Sequence, residues 1–294
     1  MLQALAAARF CHFAAATLLF GLVAFPVYAR IPGQAGRTQD HMVQGLAILA
    51  LVTDVAVLLA AAVNMTGFVS TLLDPGTLWD IVQGTGFGQV WGLRVLLGLV
   101  IVVLAFRGER GRKALPVLCL LFLIAIAYTG HSRMEQGALG WADVFAGALH
   151  LIAAGAWLGG LLALVLLVPR LIQLGRQAAA ADVLDQFSGM GYAAVAVLVA
   201  TGLFKSVLLV GRLGAMLSTA YGQLLTIKLI LFAGMGVLAL SNRFWITPGL
   251  RAHPADAGLW LARLQRQVTV ELVLGLLVLA AVGLLGALEP PVSL

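Results

Sequence analysis

The chain has 294 residues, of which 62% are hydrophobic and 10% charged, with a formal net charge of +6. Those proportions exclude a soluble domain and describe an integral membrane protein. The positive balance reads as membrane topology rather than nucleic-acid binding, because the basic residues collect in the links between apolar runs.

Eight apolar runs follow one another at 10–29, 45–65, 89–106, 115–130, 144–168, 189–209, 223–241 and 268–288. A run of about 17–25 residues spans a bilayer as a helix. Little chain is left over for a separate soluble domain, and the 34 glycines suit close helix packing in lipid. The first run ends in "VYA" at 27–29, which resembles a signal-peptide cleavage site. The run is long for a signal core, and Arg30 and Arg37 behind it favour a retained span entering from outside. The second run carries Asp54 mid-span and ends at Asn64 and Met65. The third carries Arg94 about two turns inside, and the fourth leads into the polar stretch that holds His131 and Met134. The fifth carries His150 and, seven residues on and so on nearly the same face, Trp157. Lys205 sits near an outer end, where it can snorkel, while Lys228 lies inside the seventh run and Glu271 near the inner end of the eighth.

The links 30–44, 107–113, 169–188 and 242–267 hold twelve arginines and lysines, against Arg9, Arg133 and Arg212 on the other face. Basic residues accumulate on the cytoplasmic side, so both termini are expected in the periplasm. Cys11 and Cys119 then lie near opposite faces, out of reach of a disulfide.

The second half echoes the first. "TGF" at 66–68 precedes "TGFGQVWGLR" at 85–94, and "TGLF" at 201–204 precedes "TAYGQLLTIK" at 219–228. "CHFAAATLLFG" at 11–21 lies over "LHLIAAGAWLG" at 149–159, which matches His12 with His150 and Gly21 with Gly159; Arg94 likewise matches Lys228. The expected fold is all-α: eight transmembrane helices in two parallel four-helix repeats, 1–138 and 139–294, related by an axis along the membrane normal. His12 and His150 are then expected at one depth, one to two turns below the outer surface, facing each other near that axis.

On this topology the outer ends of the spans carry Cys11, His12, Met65, His131, Met134 and His150. Imidazole, thioether and thiolate suit copper, above all Cu(I), whereas hard cations want carboxylates, which are few here. Each residue also has a structural reading: interhelical hydrogen bonds for the histidines, packing for the methionines, Cys11 and Trp157. No CxxC or HxxxH spacing fixes a site. Asp54, Arg94 and Lys228 are expensive in lipid and face the bundle, Asp54 either accepting a proton or pairing with a buried cation.

The segments "GALHLIAAGAWLGGLLAL" (147–164), "FSGMGYAAVAVLVATGLFKSVLLVG" (187–211), "YGQLLTIKLILFAGMGVLALSNRF" (221–244) and "LQRQVTVELVLGLLVLAAVGLLGAL" (264–288) resemble the copper-resistance D family, CopD, of bacterial inner-membrane proteins. "NMTGF" and "GTGFGQVWGLR" extend the resemblance into the first half. The resemblance implies copper handling across the inner membrane and cooperation with a small periplasmic copper-binding protein of the CopC type. It supplies no ligand set.

The leading expectation is a copper permease that captures the ion at the outer histidine/methionine cluster and passes it inward. It is not expected to be an enzyme, and no Walker A motif is present. A second reading is a b-type haem electron carrier with His12 and His150, or His131 and His150, as axial ligands. A third is a factor that delivers copper to a periplasmic cuproenzyme.

Overall fold

A computed structural model describes residues 2–30, 37–129, 137–174, 176–210 and 214–288, all of them in helices, turns and short links. Seven helices are long and apolar enough to cross a membrane. They are α1 (Leu2–Tyr28), α2 (Arg37–Thr66), α4 (Gly86–Ala105), α7 (Gly137–Gln173), α8 (Gln177–Val210), α10 (Ala220–Ser241) and α12 (Ala257–Leu285). α10 runs on through a π-helical turn, Asn242–Ile246, into α11 (Thr247–Ala252). Three short helices stand before spans or between them: α3 (Pro75–Gly84), α5 (Glu109–Arg112) and α9 (Ala215–Ser218).

The fourth expected run forms α6 (Leu115–Tyr128), of 14 residues. At 1.5 Å per residue it is about 21 Å long, short of the roughly 30 Å hydrocarbon layer. Its flank, 130–136, lies outside the described residues, as do His131 and Met134. Several other helices overrun their apolar runs. α7 and α8 take up most of the link expected at 169–188, and α12 starts at Ala257 rather than near 268.

α1 and α7 form the centre. α1 packs against α2, α6, α7 and α12, and α7 against α1, α6, α8 and α12. α1 is thus a core helix: Leu22 and Phe25 are fully buried in it. The two helices touch through glycines, since a Cβ built on Gly21 would lie 2.6 Å from Gly159 Cα and would also strike the Gly155 carbonyl. Small residues let backbones approach this closely, which gives van der Waals packing where lipid offers no hydrophobic drive. Large apolar side chains on the outer helices, such as Leu96, Val103, Leu203 and Ile230, face outward, as a lipid-facing surface requires.

Ion pairs tie one end of the bundle together. Arg112 meets Asp40, Arg243 meets Asp185, and Arg251 meets Asp182 and Asp185. These residues lie in or beside the links richest in basic side chains. At the other end Arg9 donates to the Gly286 carbonyl and Lys205 meets Asp143 at 2.6 Å. Asp74 caps α3 through Gly76 and Thr77, and the Thr77 hydroxyl beside it holds its carboxyl below the usual value.

Candidate functional site

A buried polar chain runs across the first bundle. His12 of α1 is 2% exposed, and its Nδ1 lies 3.3 Å from Thr53 Oγ1 on α2. Thr53 spends its own hydroxyl hydrogen on the Leu49 carbonyl at 2.6 Å. Its oxygen is therefore the acceptor, which assigns the imidazole hydrogen to Nδ1 and leaves a lone pair on Nε2. Nε2 points at Asp54 Oδ1, 3.4 Å away, and makes no hydrogen bond. Arg94 Nη2 lies 2.7 Å from the same carboxylate oxygen, close enough for an ion pair though not aligned as a hydrogen bond. Arg94 Nη1 also donates to Thr129 at 3.0 Å, and Trp91 donates to the Asp54 carbonyl at 3.0 Å. Asp54 and Arg94 are almost wholly buried, and the Phe122 ring closes the site edge-on to His12 at 5.8 Å.

His150 of α7 makes a similar contact in different surroundings. His150 Nδ1 lies 2.8 Å from Thr201 Oγ1, and Thr201 gives its hydrogen to Val197 at 2.6 Å. The same tautomer follows for the neutral ring. Thr53 is followed by Asp54, whereas Thr201 is followed by Gly202. A Cβ on Gly202 would stand 3.8 Å from His150 Cε1, an ordinary contact. Half-buried Lys228 has no carboxylate partner among the described residues, since Lys205 takes Asp143.

The Thr–aromatic–Gly–Gln pattern has a physical cause in both halves. Thr85 accepts from Gly88 N at 2.9 Å and donates to Ile81 at 2.7 Å; Thr219 accepts from Gly222 N at 3.0 Å and donates to Ala215 at 2.7 Å. Each threonine thus caps a span and ties it to the short helix before it. Gln89 and Gln223 each reach back to a carbonyl of that helix, at 3.1 and 2.9 Å. The glycine is required, because a Cβ at Gly88 or Gly222 would collide with the backbone of Val82 or Met216. Six residues on from those glycines come Arg94 and Lys228.

Thr66 was matched to Thr201 in sequence, but the histidine contact belongs to Thr53. Thr66 instead bonds Ala62 and Thr71 at the end of α2. His12 lies ten residues into α1 and His150 thirteen into α7, about 15 and 20 Å along their helices. Both helices begin before their apolar runs. Each ring is hydrogen-bonded to a threonine of the following long helix, His12 to Thr53 and His150 to Thr201. Met65 is 54% exposed and twelve residues beyond Thr53 on α2, roughly 18 Å along the axis, so it is not brought to His12. Cys11 is exposed. Among the described residues no group of three or more histidines, cysteines or carboxylates is placed to hold a metal ion.

Trp157 belongs to another buried cluster. It donates to Glu271 Oε1 at 2.9 Å, and Asn242 Nδ2 approaches Oε2 at 3.3 Å. Sequence reasoning missed Thr53, Gly202 and Asn242. Only the Thr-Asp pair inside an apolar run pointed to the first.

The comparisons with known proteins agree with one another. Residues 1–141 match the family described as copper resistance protein D-like, N-terminal domain, and residues 181–285 match copper resistance protein D. Inner membrane protein YebZ of Escherichia coli (strain K12) is 32% identical over 292 residues, which is 97% of each chain. The chain belongs to the copper resistance D family. Copper resistance protein D of Pseudomonas syringae pv. tomato is 28% identical, covering 97% of this chain and 96% of that one. Copper transport protein CutJ of Bacillus subtilis (strain 168) is 28% identical over 79% of this chain and 45% of its own length. No solved structure matches the chain. The chain is thus a multi-pass inner-membrane protein with a copper-related function.

Proposed function

We propose that the protein carries copper across the inner membrane, taking it at the periplasmic side and passing it inward. One observation carries the reading. Two interior imidazoles, buried His12 and half-buried His150, each have Nδ1 bound by a threonine whose hydrogen is already spent, so that the neutral ring carries its lone pair on Nε2. A hydrogen bond at the other ring nitrogen, which fixes the tautomer, is what a ligating histidine needs. Neutral imidazole with thioether or thiolate favours Cu(I) over hard cations. His131, Met65, Met134 and Cys11 are the proposed donors nearer the surface, and His12 and His150 the deeper ones.

The reading includes two parallel four-helix repeats with both termini in the periplasm and α6 as the eighth span. The matched Thr85 and Thr219 caps and the matched histidine–threonine bonds support the duplication. The distribution of basic residues supports the orientation. A copper-binding periplasmic protein of the CopC type is the proposed donor.

Copper titration into purified protein tests the proposal. His12→Ala and His150→Ala are each expected to lose most copper binding, with little further loss in the double variant, because residues of one pathway act as a unit. Unchanged affinity and stoichiometry in both would end it. An absorption spectrum of the same protein is expected to lack a Soret band, which a haem carrier would show. Internal copper that is the same with and without the gene would favour delivery to a periplasmic enzyme instead.

A further inference from the structure

Glu271 is 1% exposed and lies fourteen residues from either end of α12. Its hydrogen bonds come from two neutral groups, the Trp157 indole and the Asn242 amide, and no arginine, lysine or histidine among the described residues pairs with it. Among the described residues no charged side chain makes an ion pair or hydrogen bond with it. α7 offers Trp157, packed edge-on against Phe232 of α10 at 5.7 Å, and α10 ends in Ser241. Arg243, beside Asn242, is taken by Asp185. An ionised carboxylate held only by neutral donors in a buried, low-dielectric site is costly, and such groups avoid the cost by binding a proton.

The hydrogen-bond inventory points the same way. Asn242 Oδ1 and Gln267 Oε1 are buried acceptors without a donor. Gln267 sits one turn before Glu271 and gives its amide to Ser241 at 3.2 Å. The cluster therefore has acceptors in excess and lacks a hydrogen. Asn242 opens the π-helical turn, a distortion that recurs at functional positions because it frees backbone and side-chain geometry. An Asn amide turned by half a revolution presents Oδ1 to the carboxyl.

We infer that Glu271 is a proton-binding site inside the membrane, with Asn242 as the partner that receives the carboxyl hydrogen. On uptake a proton from water forms the Oε2–H bond, and that hydrogen is donated to Asn242 Oδ1. On release the O–H bond breaks and the proton returns to water. The role assigned to this exchange is coupling copper passage to the proton gradient, and that role rests on the function proposed above.

Infrared difference spectroscopy of the purified protein against Glu271→Gln tests the site without copper. A protonated-carboxyl band is expected near neutral pH in the native protein, absent from Glu271→Gln and shifted in Glu271→Asp, the variant that keeps the acid if the amide fails to fold. No band at any pH between about 5 and 8, where proteins tend to be most stable, would overturn the inference. So would a band abolished by sodium or potassium at fixed pH, which would assign the site to a metal cation. In proteoliposomes, copper uptake is expected to respond to an imposed pH gradient and to lose that response in Glu271→Gln with copper binding retained. Uptake indifferent to the gradient in the native protein would overturn the coupling. Absence of uptake altogether would overturn the transport reading, while the infrared band still decides the site.

Discussion

Thr53 decides which nitrogen of His12 is basic. Its hydroxyl hydrogen goes to Leu49 at 2.6 Å, so its oxygen accepts the Nδ1 hydrogen, and in the neutral ring Nε2 is the basic nitrogen, 3.4 Å from Asp54. Thr53→Val keeps the shape and removes the acceptor. It is expected to destabilise the protein by about 1–3 kcal/mol, the cost of a buried donor left unsatisfied, while Thr53→Ser costs less. Unfolding of the three proteins in detergent gives the comparison, and equal stability of Val and Ser variants would contradict the tautomer assignment.

Among the described residues Arg94 has no carboxylate partner but Asp54, and Asp54 no arginine or lysine partner but Arg94. Asp54→Asn strands a buried guanidinium and is expected to cost about 3–5 kcal/mol. Asp54→Leu with Arg94→Met, which removes both charges, is expected to cost less than the sum of the single changes. A double-mutant cycle measures the difference, and strict additivity would deny the coupling.

Gly202 follows Thr201 as Asp54 follows Thr53, and a Cβ there meets only His150 at 3.8 Å. Gly202→Asp is expected to fold and to place a carboxylate between His150 and Lys228. Its stability should then depend on Lys228: Lys228→Met is expected to be worse tolerated in the Gly202→Asp background than in the native one. The reverse order would argue against equivalence of the two halves.

Reporter fusions within 107–113 and 249–263 are expected to read cytoplasmic, and fusions within 131–141 and after Leu294 periplasmic. The ground is the twelve basic residues on one face against three on the other. A cytoplasmic C-terminus would invert every span and put His12 and His150 on the wrong side to receive periplasmic copper.

Gly21→Val pushes a branched side chain into the backbone of Gly155 and Gly159. Overpacking of a close contact costs about 1–3 kcal/mol, and a collision with backbone belongs at the upper end. Thermal unfolding of Gly21→Val should fall well below that of Gly45→Val, where the added side chain meets nothing within 4 Å.

Much of the membrane architecture was legible in the apolar runs, because span length follows directly from bilayer thickness. The ends were not. α1 begins at Leu2 and α7 at Gly137, before their apolar runs, so His12 and His150 lie further along their helices than the runs implied. The Thr85 and Thr219 caps were visible as a repeated pattern, since a cap demands particular residues at fixed spacing. The register of α2 against α1 was not visible, because a span that is apolar all round carries no facial signal, and Thr66 was matched where Thr53 makes the contact. For Glu271 the charge was plain in the sequence. Its partners Trp157 and Asn242 come from helices more than a hundred residues and nearly thirty residues away, which no local pattern records.

The glycine contact between α1 and α7 has a mechanical consequence. Side chains between helices act as bearings, and helices held apart by them can slide past one another by rotamer changes. At Gly21 and Gly159 nothing lies between the two backbones, so this contact is the natural fulcrum for any rocking of the central pair. The point lies nine residues beyond His12 on α1 and nine beyond His150 on α7. Any motion that opens the bundle on one face of this fulcrum must close it on the other, and His12 and His150 ride on the same arm of the lever.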